Sequence, residues 1–183
     1  MQHNAYILDT IQVKDKNFRL SISAEEIGAA VTRVAAQMNK ELAGTNPMFL
    51  PILNGAFMFA SDLLKQVIIP SELSFIKIAS YQGVTNGELT QLIGLNKSIE
   101  GRTVVIIEDI VDTGYTLEAL LKKLTALHPK TIKTAVLLSK PQARKVEVPL
   151  DYVGIEVPNR FIVGYGLDYD GGGRNLGEIY ELI

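Results

Sequence analysis

Hydrophobic and polar residues change places along this chain with two periods, and the switches between them divide it into strands and helices. Ile7, Leu8, Ile11, Val13, Phe18 and Leu20 stand among charges at roughly alternate positions, which predicts short strands or irregular structure over residues 1–20. Ser23-Ala-Glu-Glu26 then reads as a capping box, and Ile27, Val31, Val34, Met38 and Leu42 follow at helical spacing until Gly44 ends the run. Met48 to Leu53 reads as a buried strand containing a conflict, because Pro51 has no N–H for a ladder and argues for an edge or a local irregularity. An apolar helix is expected from Phe57 to about Val67, and a strand by alternation from Leu73 to Ser80. A polar stretch from Ser80 to about Gly94 follows, containing Gly83, Asn86 and Gly87. Such long loops are usually functional or disordered, although Asn86-Gly87 alone permits a plain β-hairpin.

Val104 to Ile107 are four β-branched apolar residues in a row, the pattern of a strand buried on both faces. The carboxylates Glu108, Asp109 and Asp112 and the turn Thr113-Gly114-Tyr115-Thr116 follow at once, with the amphipathic segment Leu117 to Leu127 behind them. Thr131 to Ser139 is a further strand ending at Lys140-Pro141. Tyr152 to Glu156 and Phe161 to Val163 are short strands separated by the turn Val157-Pro158-Asn159-Arg160. Strands alternating with helices predict an α/β protein with a mainly parallel sheet.

Ligands bind at the carboxyl ends of strands in such sheets, so the turn after Val111 is the candidate site. Its free N–H groups and the helix dipole form a phosphate cradle, Thr113 and Thr116 add hydroxyl donors, and Gly114 admits a phosphate without a Cβ in the way. An anion cradle has no need of Glu108 and Asp109, which suit sugar hydroxyls or a divalent cation that screens their repulsion of phosphate. Asn54-Gly55-Ala56, between a strand and a helix, is a second turn with anion-site geometry. Lys140 falls at the carboxyl edge of the sheet beside the Asp112 turn.

Composition narrows the partners. With 183 residues, 47% of them hydrophobic, the chain is long enough for one domain over 1–183 with a full core. No apolar run reaches membrane-spanning length and Met1-Gln2-His3-Asn4 lacks a signal-peptide pattern, so a soluble, cytoplasmic protein without membrane partners is expected. Zero cysteines exclude disulfides, thiolate chemistry and Cys-ligated zinc. A net charge of −2 leaves no electrostatic footprint for nucleic acid. An anionic substrate must then be held by backbone dipoles, a few basic residues and metal ions.

The string Val104 to Thr116 resembles the phosphoribosyl pyrophosphate (PRPP) motif of the type I phosphoribosyltransferases, most closely the six-oxopurine (hypoxanthine-guanine) branch. Leu53-Asn54-Gly55-Ala56, Ser80-Tyr81 and Phe161-Ile-Val-Gly-Tyr-Gly-Leu-Asp168-Tyr169 with Arg174-Asn-Leu are similar to three further motifs of that family, in its order. The chain departs from it where Asn54 replaces a frequent Lys and where Gly171 to Gly173 replace bulkier residues. The resemblance implies a parallel sheet flanked by helices, with a small hood from the terminal regions. It implies transfer of 5-phosphoribosyl from PRPP to hypoxanthine or guanine with Mg2+, by a homodimer or homotetramer. Asp112 to Thr116 would grip the 5′-phosphate, with Asp112 also the acid/base residue. Glu108, Asp109 and Asp168 would serve ribose and metal, and Asn54, Gly55 and Arg174 the pyrophosphate. Lys140, Phe161, Ile162 and Asp168 would hold the purine, and Ser80 and Tyr81 would open a flexible closing loop. A cis Leu53–Asn54 peptide bond is also implied. Two alternatives stay open, a PRPP-binding regulator without catalysis and a xanthine-preferring transferase.

Overall fold

The computed structural model describes residues 9–79 and 91–183. In chain order the elements are β1 (Thr10–Val13), β2 (Lys16–Ile22), α1 (Ala24–Glu41), β3 (Met48–Leu53), α2 (Phe57–Leu64), β4 (Glu72–Leu73), β5 (Ile76–Ala79) and β6 (Gln91–Ile93). They continue with β7 (Thr103–Val111), α3 (Tyr115–Thr125), β8 (Thr131–Ser139), the 3-10 turn Pro141–Ala143, β9 (Tyr152–Glu156), β10 (Ile162–Val163) and β11 (Ile179–Leu182).

β7 lies in the middle of the main sheet, ordered β6-β5-β3-β7-β8-β9, with β4 also paired to β3. It runs parallel to β3 and β8, and β9 is parallel to β8. The β-branched run explains this position. Val105 and Ile107 face one core, with Ile27, Val31, Met38, Phe59 and Leu63 of α1 and α2. Val104 and Ile106 face the other, with Leu117, Leu120 and Leu124 of α3. Burial of each such side chain is worth roughly 1.5–3 kcal/mol, so the strand that carries the polar turn is anchored on both faces of the sheet.

The capping box of α1 forms as its sequence predicts: Ser23 N donates to Glu26 Oε2 at 2.9 Å and Glu26 N donates to Ser23 Oγ at 3.2 Å. The expected edge position for Pro51 is overturned, since β3 is an inner strand. Its expected irregularity is present: β3 pairs with β4 at Met48 and Phe49 but with β5 at Ile52 and Leu53. Pro51 falls at that change of neighbour, where a missing donor disturbs the ladder least. The segment expected as one strand from Leu73 to Ser80 is divided for the same reason, into β4 and β5.

A second sheet, ordered β1-β2-β11-β10, draws its strands from both ends of the described chain and forms the hood. The turn after β10 rests through Gly166 on Gly55, just beyond the carboxyl end of β3. Val13, Phe18, Val163 and Tyr180 make its own small core. β5 and β6 pair antiparallel through Lys77↔Ile93, as the arms of a hairpin do. The residues between them, Ser80 and Tyr81 included, lie outside the described residues. Among the described residues no helix is long and apolar enough to cross a membrane.

Candidate functional site

Three strand ends converge at the carboxyl edge of the main sheet. β7 and β8 stay in register to Val111↔Ser139, so the Asp112 turn and Lys140 leave the sheet side by side, and β3 delivers Asn54 and Gly55 on the other flank of β7. β7 runs further than its apolar pattern suggested. Glu108 and Asp109 are therefore strand residues, and only Asp112 to Gly114 form the turn.

Gly114 caps α3 in the left-handed conformation, φ 92°, with no side chain capping the helix. A Cβ there would stand 2.8 Å from the Val146 carbonyl oxygen, so glycine is required by both backbone angle and space. The uncapped first-turn N–H groups, the positive end of the helix dipole and the exposed Thr113 and Thr116 hydroxyls line a cavity of about 150 Å³ with Glu108 and Asp112. Tyr115, the first helical residue, is half exposed beside it.

The turn is braced from behind by residues that sequence reasoning passed over. Lys145 and Val146 donate backbone N–H groups to Thr113 O at 2.9 and 3.2 Å. Arg144 donates from Nε to Asp112 O at 3.3 Å and from a terminal nitrogen to Ser139 Oγ at 3.1 Å. Turning the carbonyls of Asp112 and Thr113 toward this brace leaves the N–H side of the turn for a ligand. The only signal in the sequence was a basic pair after Lys140-Pro141, which any surface loop can carry.

Lys140 is 6% exposed, and its Nζ lies 3.1 Å from Asp112 Oδ2, so the two residues singled out separately in the sequence form one ion pair. A buried ammonium without a partner would be strongly destabilising, and Asp112, half exposed, supplies that partner while keeping one face toward the cleft.

On the β3 flank, the Leu53–Asn54 peptide bond is cis, as the resemblance implies. Ala56 N donates to Ile52 O at 3.2 Å and Phe57 N to Asn54 O at 3.4 Å, closing the turn into α2. A Cβ on Gly55 would overlap the buried Asp109 carboxylate, and a Cβ on Gly166 would overlap the Gly55 carbonyl. Three distant segments thus meet at Gly55, through the Asp109 carboxylate on one side and the Gly166 backbone on the other.

Desolvation, and then the adjoining Asp109 carboxylate, push the Glu108 carboxyl well above the usual range. A raised folded-state pKa stabilises the fold at low pH, and this contribution is lost as pH rises through it. Glu108→Gln removes that loss. We expect denaturant unfolding to find the variant more stable than the parent near about pH 8, with the gap closing toward about pH 5. A gap that does not change with pH would contradict the assignment.

The remaining candidates lie where the hood meets this edge. Phe161 is 48% exposed and rests edge-on to Tyr169, ring centroids 5.9 Å apart, with Phe18 6.3 Å away. Ile162 is buried beside it. Arg174 pairs with Asp168 at 2.6 Å and donates to Gly166 O at 2.7 Å, and Asp168 also accepts from Gly171 N at 2.7 Å. The two residues expected to serve metal and pyrophosphate are thus bonded to each other. Among the described residues no group of three or more His, Cys, Asp or Glu is gathered to hold a metal. Glu108, Asp109 and Asp168 nonetheless offer hard oxygen donors of the kind magnesium takes one or two at a time, the rest coming from substrate and water.

Residues 22–170 match the family model described as the phosphoribosyl transferase domain. The hypoxanthine-guanine phosphoribosyltransferase of Bacillus subtilis is 41% identical over 160 residues, which cover 86% of this chain and 89% of that protein. The crystal structure of a hypoxanthine phosphoribosyltransferase from Staphylococcus aureus superposes with a TM-score of 0.82 at 34% identity, covering 96% of this chain and 92% of that one. The chain belongs to the phosphoribosyltransferase family. The Bacillus subtilis and Streptococcus thermophilus relatives carry the hypoxanthine-guanine name, so within the family the chain is similar to the six-oxopurine branch. It is also 41% identical over 160 residues to the bifunctional protein TilS/HprT of Listeria monocytogenes, where it spans about a quarter of the length, 25%.

Proposed function

We propose that this protein transfers the 5-phosphoribosyl group of PRPP to hypoxanthine or guanine, releasing pyrophosphate and forming the nucleoside monophosphate. The observation that carries this reading is the Asp112–Lys140 pair at the rim of the phosphate cradle, because it joins a proton-exchanging group and a donor for a six-oxo group at one place.

The Asp112 to Thr116 turn grips the 5′-phosphate through its N–H groups and hydroxyls. The ribose hydroxyls fall to Glu108 and Asp109. The Asn54-Gly55 turn and Arg174, once released from Asp168, face the pyrophosphate. The base stacks on the exposed face of Phe161, with its exocyclic edge at the backbone of Ile162 and its six-oxo group at Lys140. The bond from the anomeric carbon to pyrophosphate breaks as the bond to the purine nitrogen forms on the opposite face, with inversion. Such sugar transfers pass through an oxocarbenium-like transition state. Asp112 exchanges a proton with the ring nitrogen that is not attacked. Asp168, with Glu108 and Asp109, would hold magnesium, which when bound would supply charge neutralisation for the leaving diphosphate.

The whole chain works as one transferase unit, cytoplasmic and assembled as a homodimer or homotetramer, with the half-exposed Phe57 of the apolar α2 as a point of subunit contact. The test is pyrophosphate release from PRPP and magnesium with hypoxanthine, guanine, xanthine and adenine tried separately. Release with hypoxanthine or guanine is expected. Silence with every base would overturn the reading in favour of a PRPP-binding regulator, and release with xanthine foremost would reassign the substrate.

A further inference from the structure

Gly164, Tyr165 and Gly166 lead from β10 toward Asp168, and all three have positive φ, 104°, 48° and 101°. The glycines are required by close approach, since a Cβ on Gly164 would overlap the Glu178 carbonyl and one on Gly166 the Gly55 carbonyl. Tyr165 is different. A bulky residue in the left-handed region is uncommon and persists only where its surroundings hold it. Its side chain is 4% exposed, and its phenol donates to Asp62 Oδ2 of α2 at 2.6 Å. Burial, and then the Asp62 carboxylate, push the phenol well above its usual range, so it stays protonated and remains the donor.

Asp62 is on the helix that the Asn54-Gly55 turn opens, and Tyr165 is on the turn that rests on Gly55 and carries Asp168. Among the described residues no β-ladder joins these two segments; they meet through the Gly55–Gly166 contact, the buried core shared by Ala56, Phe59, Tyr165 and Leu167, and the Tyr165–Asp62 bond. Resting on the transferase reading above, we propose that Asp62 is a positioning residue: through the Tyr165 phenol it fixes how the Gly164 to Asp168 turn sits on Asn54-Gly55. It thereby sets the gap between the two segments that receive the pyrophosphate end of PRPP. Asp62 touches no substrate itself.

The test uses the full chain with Asp62→Ala, Asp62→Asn and Tyr165→Phe. Each is assayed for KM toward PRPP and, by calorimetry, for its affinities for pyrophosphate with magnesium and for the product nucleoside monophosphate. Asp62→Ala and Tyr165→Phe should weaken PRPP and pyrophosphate by about tenfold, the usual worth of a hydrogen bond to a charged group. The product nucleotide, which has no pyrophosphate, should bind as before. Asp62→Asn keeps an acceptor oxygen and should recover most of the loss. Equal weakening of pyrophosphate and nucleotide, or unchanged pyrophosphate affinity in Tyr165→Phe, would overturn the proposal. Tyr165→Phe retains the buried ring, so it keeps the question open to measurement even where Asp62→Ala fails to fold. A parent protein that binds pyrophosphate but releases none from PRPP would refute the transferase reading alone, because the pyrophosphate affinities of the variants still decide this one.

Discussion

Asp112→Asn is expected to bind PRPP much as the parent does and to turn it over about 10²–10⁴-fold more slowly, the usual worth of a positioned acid or base. The structure makes this substitution informative because it separates shape from proton exchange. An asparagine fills the same volume and still presents an oxygen to Lys140, now 3.1 Å from Asp112 Oδ2. The brace on the turn acts through the Asp112 backbone carbonyl, which the change does not touch. What disappears is the ability to take up and release a proton at the purine ring. Single-turnover kinetics beside PRPP calorimetry would check it. An unchanged turnover would leave Asp112 with turn geometry alone, and a large loss of PRPP affinity would place its main effect in the cradle.

The second large effect concerns the choice of base. An ammonium has three donors and no acceptor, so Lys140 can pair with a six-oxo group but meets the amino group of adenine donor against donor. A site built to bond a substrate oxygen rejects an analogue lacking it, and activity with adenine should be lower by at least about a hundredfold. Lys140→Ala should cost the six-oxopurines far more than adenine and so narrow that gap. Because Lys140 is also the partner of Asp112, the substitution disturbs the proton-exchanging residue for every base. The ratio of kcat/KM between hypoxanthine or guanine and adenine is therefore the quantity to follow, since a shared loss cancels in it. Equal losses for both classes would make Lys140 a general electrostatic support and pass base selection to the backbone around Ile162.

Local patterns announced most of the parts of this site and few of the contacts between them. Val104 to Thr116 was legible because a strand buried on both faces, a glycine needed for its backbone angle and a row of carboxylates each leave a mark in sequence. The α1 cap was legible for a similar reason, as both of its bonds join residues three apart. Pro51 was half legible: its missing donor shows in the sequence, while the exchange of β4 for β5 that accommodates it depends on strands elsewhere. The Arg144 brace, the Gly55 contact with Asp109 and the Tyr165–Asp62 bond were not legible. Each joins segments well separated along the chain, and no local periodicity records such a meeting. The pairing of Asp168 with Arg174 was missed differently, since both residues were noted but for ligands and not for each other.

The hood has a consequence for how the molecule comes into being. β2 pairs with β11 and Arg19 bonds Glu181, 162 positions away, so the sheet that carries Phe161 and Ile162 cannot close until almost the last described residue has emerged. The parallel core can begin to assemble earlier, since β3, α2, β7, α3 and β8 all precede it in synthesis. Contacts of such long range are slow to form, because the chain must give up its loop freedom before they return any stability. The phosphate cradle can thus form on the nascent chain before the base platform, and until β11 arrives β2 carries an unpaired edge open to strands of other chains.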